Sequence, residues 1–262
     1  MNKKLPFKTD KKVLVIGDSC VDVFVYGKAS RLAPDVPVPV MVESHRTENF
    51  GMARNLVKNI ETLCNNCDIV TNEDGMTVTK TRFVDNDSNH TFLRVDSHDK
   101  VKPINKEVLN SLTNDGLLSN YDLIAISDYD KGFLTAHDID RICYHHTNVF
   151  LDSKKPIGIW AENAKYIKIN YPEYKNSLPL MTEPLLAKTI ITKGKNGASF
   201  GGVDYPSINV SDVRDVSGAG DSFFAALICE YLHSNSIEKA IKFANFCAAG
   251  VVQKRGVTCI LQ

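Results

Sequence analysis

Apolar and polar positions along this chain follow two rhythms. Val13-Leu-Val-Ile-Gly-Asp18 is a short unbroken apolar run ending in Gly-Asp, the pattern of a parallel strand buried on both faces. Val23-Phe-Val-Tyr26 and Val36-Pro-Val-Pro-Val-Met-Val42 alternate and carry prolines, so they read as edge strands of a small sheet. A second alternating pair, Met76 to Val84 and Thr91 to Asp96, is joined by the turn-rich Asp85-Asn-Asp-Ser-Asn89. Between the pairs, from Gly51 to Cys64, Ala53, Leu56, Val57, Ile60 and Leu63 recur at helical spacing. Further on, strand and helix patterns alternate. Strands are expected at Tyr121–Asp128, Asn148–Asp152, Tyr166–Asn170 and Ala187–Thr192, a helix at Thr135–His145, and a hairpin within Ala198–Val213. Helices at Gly218–His233 and Ser236–Arg255 follow. Together these predict one α/β domain over 1–262: a mostly parallel sheet covered by helices on both faces. A small discontinuous β lid comes from about 23–48 and 76–97. There is no internal repeat or low-complexity tract.

Composition narrows the function class. The 262 residues are 43% hydrophobic and 24% charged, as in a soluble globular protein. Lys+Arg and Asp+Glu balance at 31 each, which argues against nucleic-acid binding through bulk charge but permits a local basic pocket. No apolar run reaches the length of a membrane span, and the basic N-terminus lacks an apolar signal core. Seven cysteines scattered through apolar segments read as reduced thiols of a cytoplasmic protein. Cys64-Asn-Asn-Cys67 has redox or metal spacing but no second such pair, so it reads as two ordinary thiols at a helix end. His145-His146 has no ligand at metal spacing and reads as surface.

The candidate chemistry centres on Asp215-Val-Ser-Gly-Ala-Gly-Asp221, directly before a long apolar helical run. A helix start leaves N–H groups unpaired and carries partial positive charge. Gly218, Ala219 and Gly220 would let an anion approach that bare backbone, and Asp221 beside them could take a proton from an attacking hydroxyl. That is the minimum kit of a small-molecule kinase. The plainer reading is a Gly-rich turn with Asp as an N-terminal cap. Asp18 and Asp22 follow the C-terminal end of the first strand, where open α/β sheets collect ligands; a capped turn is the alternative. No Gly-x-x-x-x-Gly-Lys-[Ser/Thr] run occurs, so a P-loop kinase is excluded.

The 215–221 motif resembles the signature Asp-Thr-x-Gly-Ala-Gly-Asp of the ribokinase-like carbohydrate kinases, with Val216 in place of the threonine. The resemblance implies that Asp221 is the catalytic base and that the amides of Gly218, Ala219 and Gly220 form the anion hole. It extends through Gly17-Asp18 with Asp22, Tyr26-Gly27 and Ser30 to Val40. It continues through Thr79-Lys-Thr-Arg82, Leu93-Arg-Val-Asp96, Ser127-Asp-Tyr-Asp-Lys-Gly132 and Asp152-Ser-Lys154. That set is similar to the heptose 7-phosphate kinases of lipopolysaccharide-precursor synthesis, a branch whose kinase is often followed by a nucleotidyltransferase domain; this chain corresponds to the kinase half. Asn170-Tyr-Pro-Glu173 resembles the family's Asn-x-x-Glu motif, tied there to Mg²⁺ and phosphate handling through water. Thr192, Lys193, Gly194 and Gly197 resemble its nucleotide-phosphate loop.

The resemblance thus implies ATP-dependent phosphorylation, with Mg²⁺, of a sugar hydroxyl, foremost the anomeric hydroxyl of a seven-carbon sugar 7-phosphate. Asp18, Asp22, Gly51 and Asn55 would hold sugar hydroxyls. Arg82, Arg94, Lys131 and Lys154 are candidates for the substrate phosphate, each also readable as a solvated surface charge. A sheet face on the lid would be covered by pairing two lids, which predicts a homodimer. Three departures from the family pattern stand out. The Gly-Gly-x-x-x-Asn sugar loop reads Phe50-Gly-Met-Ala-Arg-Asn55; a helix and strand expected between Cys64 and Met76 look missing; and the segment from Glu173 to Ala187 is short. A kinase for another sugar or a nucleoside, a ribokinase-like binding protein without chemistry, and a structural subunit stay open as alternatives.

Overall fold

The computed structural model describes residues 7–98, 100–208, 210, 216–253 and 259–260. Strands β1 (Thr9–Gly17), β4 (Cys64–Thr71), β7 (Leu123–Asp128), β8 (Val149–Ser153), β9 (Tyr166–Asn170) and β10 (Thr189–Thr192) lie parallel in one sheet. The short strands β11 (Ala198–Phe200) and β12 (Val203–Tyr205) add an antiparallel hairpin, giving the order β12-β11-β10-β9-β8-β7-β1-β4. A second, four-stranded sheet runs β3-β2-β5-β6, from β2 (Ser19–Leu32), β3 (Pro39–Met52), β5 (Thr79–Asp85) and β6 (Thr91–Asp96).

The unbroken apolar runs of the central strands follow from burial on both faces. Val13, Val15, Leu123, Ala125 and Phe150 pack beneath α1 (Ala53–Ile60), α6 (Ala219–Ser234) and α7 (Ile237–Val251). Leu14, Ile16, Ile124, Ile126 and Leu151 pack on the opposite side, with α2 (Lys106–Thr113) and α3 (Ala136–His145). The short segment after Glu173 holds the rest of α4 (Tyr171–Ser177), a 3-10 turn at Leu178–Leu180 and α5 (Glu183–Ala187). α3 opens on a capping box, with Thr135 and Asp138 exchanging bonds, which fixes the start that the sequence suggests.

The second sheet is the lid, and it differs from the expected one in extent. β2 and β3 are each 14 residues long, so they leave the body as a continuous ribbon instead of starting at residues 23 and 36. Residues 34–38, where the prolines cluster, form the turn at its tip. The region after the Gly51 helix also needs correction. The strand that looked missing is present as β4, pairing with β1, and Cys64 and Cys67 lie on it rather than at a helix end. All seven cysteines are free thiols. His145 is exposed, but His146 is half-buried between the Tyr121 carbonyl and the Asn148 amide. Among the described residues, no helix is long and apolar enough to cross a membrane.

Candidate active site

Every parallel strand delivers its C-terminal end to the same edge of the sheet. β1 runs into Asp18, β7 into Tyr129, β8 into Lys154, β9 ends at Asn170 and β10 at Thr192. Open α/β sheets bind ligands outside this edge. The first turn of α6 meets it there, and a cleft of about 370 Å³ opens between that turn and the lid. Its lining includes Asp221, Gly218, Ser217, Asn55, Met52, Asp22 and Tyr129. Five cations face the same space: Lys80, Arg82, Arg94, Lys131 and Lys154.

Gly218 is the N-cap of α6, with φ 78° and no side chain to cap the helix. The left-handed backbone there suits glycine, and leaving the cap bare keeps the helix N-terminus open to an anion. One of the three expected amides is partly committed, since Ala219 N–H donates to the Val216 carbonyl at 3.3 Å. Asp215, at the head of the motif, lies outside the described residues.

Asp221 faces the cleft and is held from two sides. Asn55 Nδ2 donates to its Oδ2 at 2.6 Å, and the Tyr129 hydroxyl donates to its Oδ1 at 2.7 Å. The first contact arises because Asn55 and Asn59 stand one turn apart on α1, facing α6; Ser222 of α6 donates to Asn59 Oδ1 at 2.9 Å. Burial pushes the Asp221 carboxyl above its ordinary range, while the Tyr129 and Asn55 bonds pull it back. Asn55 therefore serves the carboxylate directly, besides lining the space where a sugar would sit.

Asp18, expected to hold sugar hydroxyls, is not among the residues lining the cleft. It is fully buried, and both carboxylate oxygens accept backbone amides: Tyr129 N at 2.6 Å and Phe133 N at 3.3 Å. Its work is to pin the loop after β7. Asp22 does reach the cleft, but paired to Arg82 at 2.7 Å. Gly51 does not line the cleft; a Cβ there would collide with the Asp22 carboxylate and the Cys20 sulfur, so the missing side chain is what admits Asp22. The backbone position that calls for glycine in the sugar loop is Met52, not Phe50. Met52 has φ 56° and ψ −130°, is buried, and lines the cleft, whereas Phe50 lies exposed on β3. Such backbone geometry costs on the order of 1–3 kcal/mol in a non-glycine residue.

The lid presents a charged face to the cleft. Register places Asp22 beside Lys80 and Lys80 beside Asp96, with Phe24 beside Arg82 and Arg82 beside Arg94 in the next row. Arg82 lies over the Phe24 ring, and Arg94 forms a bidentate pair with Asp96 at 2.7 Å. Lys80 is 8% exposed, and among the described residues no carboxylate pairs with it; its ammonium lies 5.3 Å from the centroid of the Tyr129 ring. Lys154 is committed elsewhere, to Glu173 Oε1 at 2.5 Å, with Asp152 Oδ1 at 3.9 Å. Burial works against the Lys154 charge, but Asp152 and Glu173 together hold its pKa above the usual lysine value.

Asn170 and Glu173 form the capping box of α4, each side chain bonding the other's backbone. Glu173 also takes Lys154, and Asn170 Nδ2 donates to Glu173 at 2.7 Å. Their polar atoms are thereby spent on one another, which does not fit direct ligation of a cation. Among the described residues no group of three His, Cys, Asp or Glu side chains could hold a metal ion. Thr192 pairs in register with Asn170 at the sheet edge, Gly194 and Gly197 both have positive φ, and Lys193 pairs with Asp204 at 2.7 Å. These four residues lie away from the cleft lining.

Sequence reasoning missed Tyr129, Lys80, Met52 and a buried pair beneath α6, in which Lys168 Nζ meets Asp152 Oδ2 at 2.7 Å. Lys80 had a signal, standing two residues before Arg82 on a strand and so on the same face. Asp152 Oδ1 is buried and accepts no hydrogen bond from the described residues.

Solved structures share this fold. The ribokinase of Thermotoga maritima superposes with a TM-score of 0.67 at 17% identity, covering 94% of each chain. The Arabidopsis thaliana ribokinase, solved with ribose and ATP, gives 0.66 at 14% identity, covering 96% of this chain and 95% of that one. The fold is that of these ribokinases. Residues 66–261 match the model of the pfkB family carbohydrate kinases, and the chain belongs to that family. The bifunctional protein HldE of Helicobacter pylori (strain Shi470) is 29% identical over 94% of this chain. The chain spans 64% of that relative's length.

Proposed function

We propose that this carbohydrate kinase transfers the γ-phosphoryl group of ATP to a hydroxyl of a sugar that already carries a phosphate, foremost a seven-carbon sugar 7-phosphate. The observation that carries the reading is the cleft itself, in which five cations face two carboxylates across the space beside the α6 N-terminus. Arg82, Arg94 and Lys154 are held in ion pairs, whereas buried Lys80 has no ion pair with a described carboxylate, which supports a phosphate on the substrate there. The sequence motifs shared with heptose 7-phosphate kinases and the match to HldE support the same substrate class.

In this reading Asp221 accepts the proton of the attacking hydroxyl as its oxygen bonds to the γ-phosphorus and the bond to the β-phosphate oxygen breaks. The open amides of the α6 turn stabilise the charge on the transferring group. The nucleotide is taken as MgATP, with no protein ligand assigned to the ion. A second reading, a sugar-phosphate-binding protein without turnover, is favoured by Met52 in the sugar loop and by Lys154 lying on Glu173. Measuring ADP release over paired panels of free and phosphorylated sugars decides. Turnover confined to the phosphorylated set is expected; binding without ADP release would leave the second reading.

The lid also supports the proposal of a homodimer. Leu93 and Val95 of β6 and Leu32 and Val42 at the ribbon's far end are exposed apolar side chains on sheet surface. Pairing of two lids would cover them. Sedimentation at twice the chain mass is expected, and a variant with Leu93 and Val95 both changed to Lys should sediment as a monomer.

A further inference from the structure

We propose that Tyr129 is a positioning residue for Asp221: its hydroxyl, with the Asn55 amide, holds the carboxylate aligned and ionised at the floor of the cleft. The inference rests on the kinase reading above for its catalytic meaning, but the contact itself stands independently.

Tyr129 is fixed at every part of its structure. Its backbone N–H is pinned by the buried Asp18 carboxylate at 2.6 Å. Two ammonium groups lie over its ring, Lys80 of the lid at 5.3 Å and Lys154 of the body at 5.5 Å from the centroid. Its hydroxyl meets Asp221 Oδ1 at 2.7 Å. A tyrosine that merely filled space would need none of these. A bare carboxylate at this depth would tend to take up a proton and lose its use as a base, because burial disfavours the charged form. Hydrogen bonds to the charged form oppose that, and Asp221 receives one on each oxygen. The charged groups around it do not do this alone. Asp152 of β8 raises the carboxyl further, Lys168 of β9 lowers it, and Lys154, Lys80 and Asp22 lie around the ring that bonds it. The Tyr129 phenol is itself pushed well above the ordinary tyrosine value, by burial and then by Asp221. It therefore keeps its proton throughout, and the proton leaving the substrate hydroxyl goes to Asp221. An ionised carboxylate offers about four lone-pair sites, so two fixed donors leave room for the substrate's hydrogen.

The test is Tyr129→Phe, which keeps the ring and its two cations and removes one hydroxyl. Carboxyl ¹³C NMR, with the Asp221 resonance assigned by its loss in Asp221→Asn, follows the titration without requiring turnover. In the Phe variant the midpoint for Asp221 should move up by about one pH unit. The acid limb of kcat/KM should move with it, and kcat should fall about tenfold while KM for the sugar phosphate stays near its wild-type value. An unmoved Asp221 titration overturns the proposal. If the variant does not fold, the Tyr129 phenol is followed by Cζ-labelled tyrosine NMR in the wild type and in Asp221→Asn. Ionisation at lower pH in the Asn variant is expected, and identical titrations overturn the proposal. A wild-type chain that releases no ADP, yet shows the Asp221 shift, supports the positioning and overturns the kinase reading instead.

Discussion

Asp221→Asn is expected to cut turnover by about 100-fold or more while leaving ATP binding near normal, the usual scale for loss of a general base. The expectation follows from where the carboxylate stands. Of the two carboxylates lining the cleft, Asp22 is paired with Arg82, while Asp221 has no ion pair among the described residues; it sits in the first turn of the helix whose open N-terminus would receive the phosphoryl group. Asparagine keeps the shape but cannot accept a proton. It also turns one donor toward the Asn55 amide or the Tyr129 hydroxyl, so thermal unfolding of the variant should be recorded beside the kinetics. Steady-state ADP release together with calorimetric ATP titration checks the result; unchanged turnover in a folded variant would remove Asp221 from the chemistry. Because burial raises the wild-type carboxyl, activity should fall away on the acid side at a pH above the ordinary aspartate range.

The second large effect is expected at Lys80→Met. The substitution keeps most of the apolar stem and removes a buried ammonium that forms no ion pair with a described carboxylate. A hydrogen bond to a charged group contributes about 1.5–3 kcal/mol, so KM for the phosphorylated sugar should rise about 10- to 100-fold. The unphosphorylated sugar, if it is turned over at all, should show almost no change. Stability should hold or rise, since an unpaired buried charge costs free energy in the folded state. Equal losses for both sugars would show that Lys80 serves the lid's structure rather than a substrate phosphate. Arg82 and Arg94 make weaker candidates because Asp22 and Asp96 already hold them.

The parallel sheet is legible in the sequence because β1, β7 and β8 are buried on both faces, which leaves their apolar runs unbroken. The start of α6 is legible because Gly218 and the small residues around it mark an uncapped helix N-terminus. Side-chain partnerships are not legible in the same way. Tyr129 meets Asp221 across 92 positions, and Asn55 meets it across 166, and no local rhythm encodes either pairing. Asp18 shows the limit from the other side: its place at a strand end points to ligand binding, and nothing local signals that the Tyr129 and Phe133 backbone amides donate to its two oxygens. β4 escaped notice because its residues are mostly half-exposed at the sheet edge and carry polar side chains such as Asn65, Asn66 and Asp68.

The long ribbon of β2 and β3 has one further consequence. Its pairing slips between Tyr26 and Gly27 and again between Ala29 and Arg31, beyond the stretch that carries Asp22 and Phe24. Irregularities of this kind are where a ladder bends most easily. Flexing of the lid therefore concentrates outboard of the charged rows. The rows that carry Asp22, Lys80 and Arg82 lie inboard of both slips, in regularly paired ladder, so a bend of the tip would leave them undisturbed.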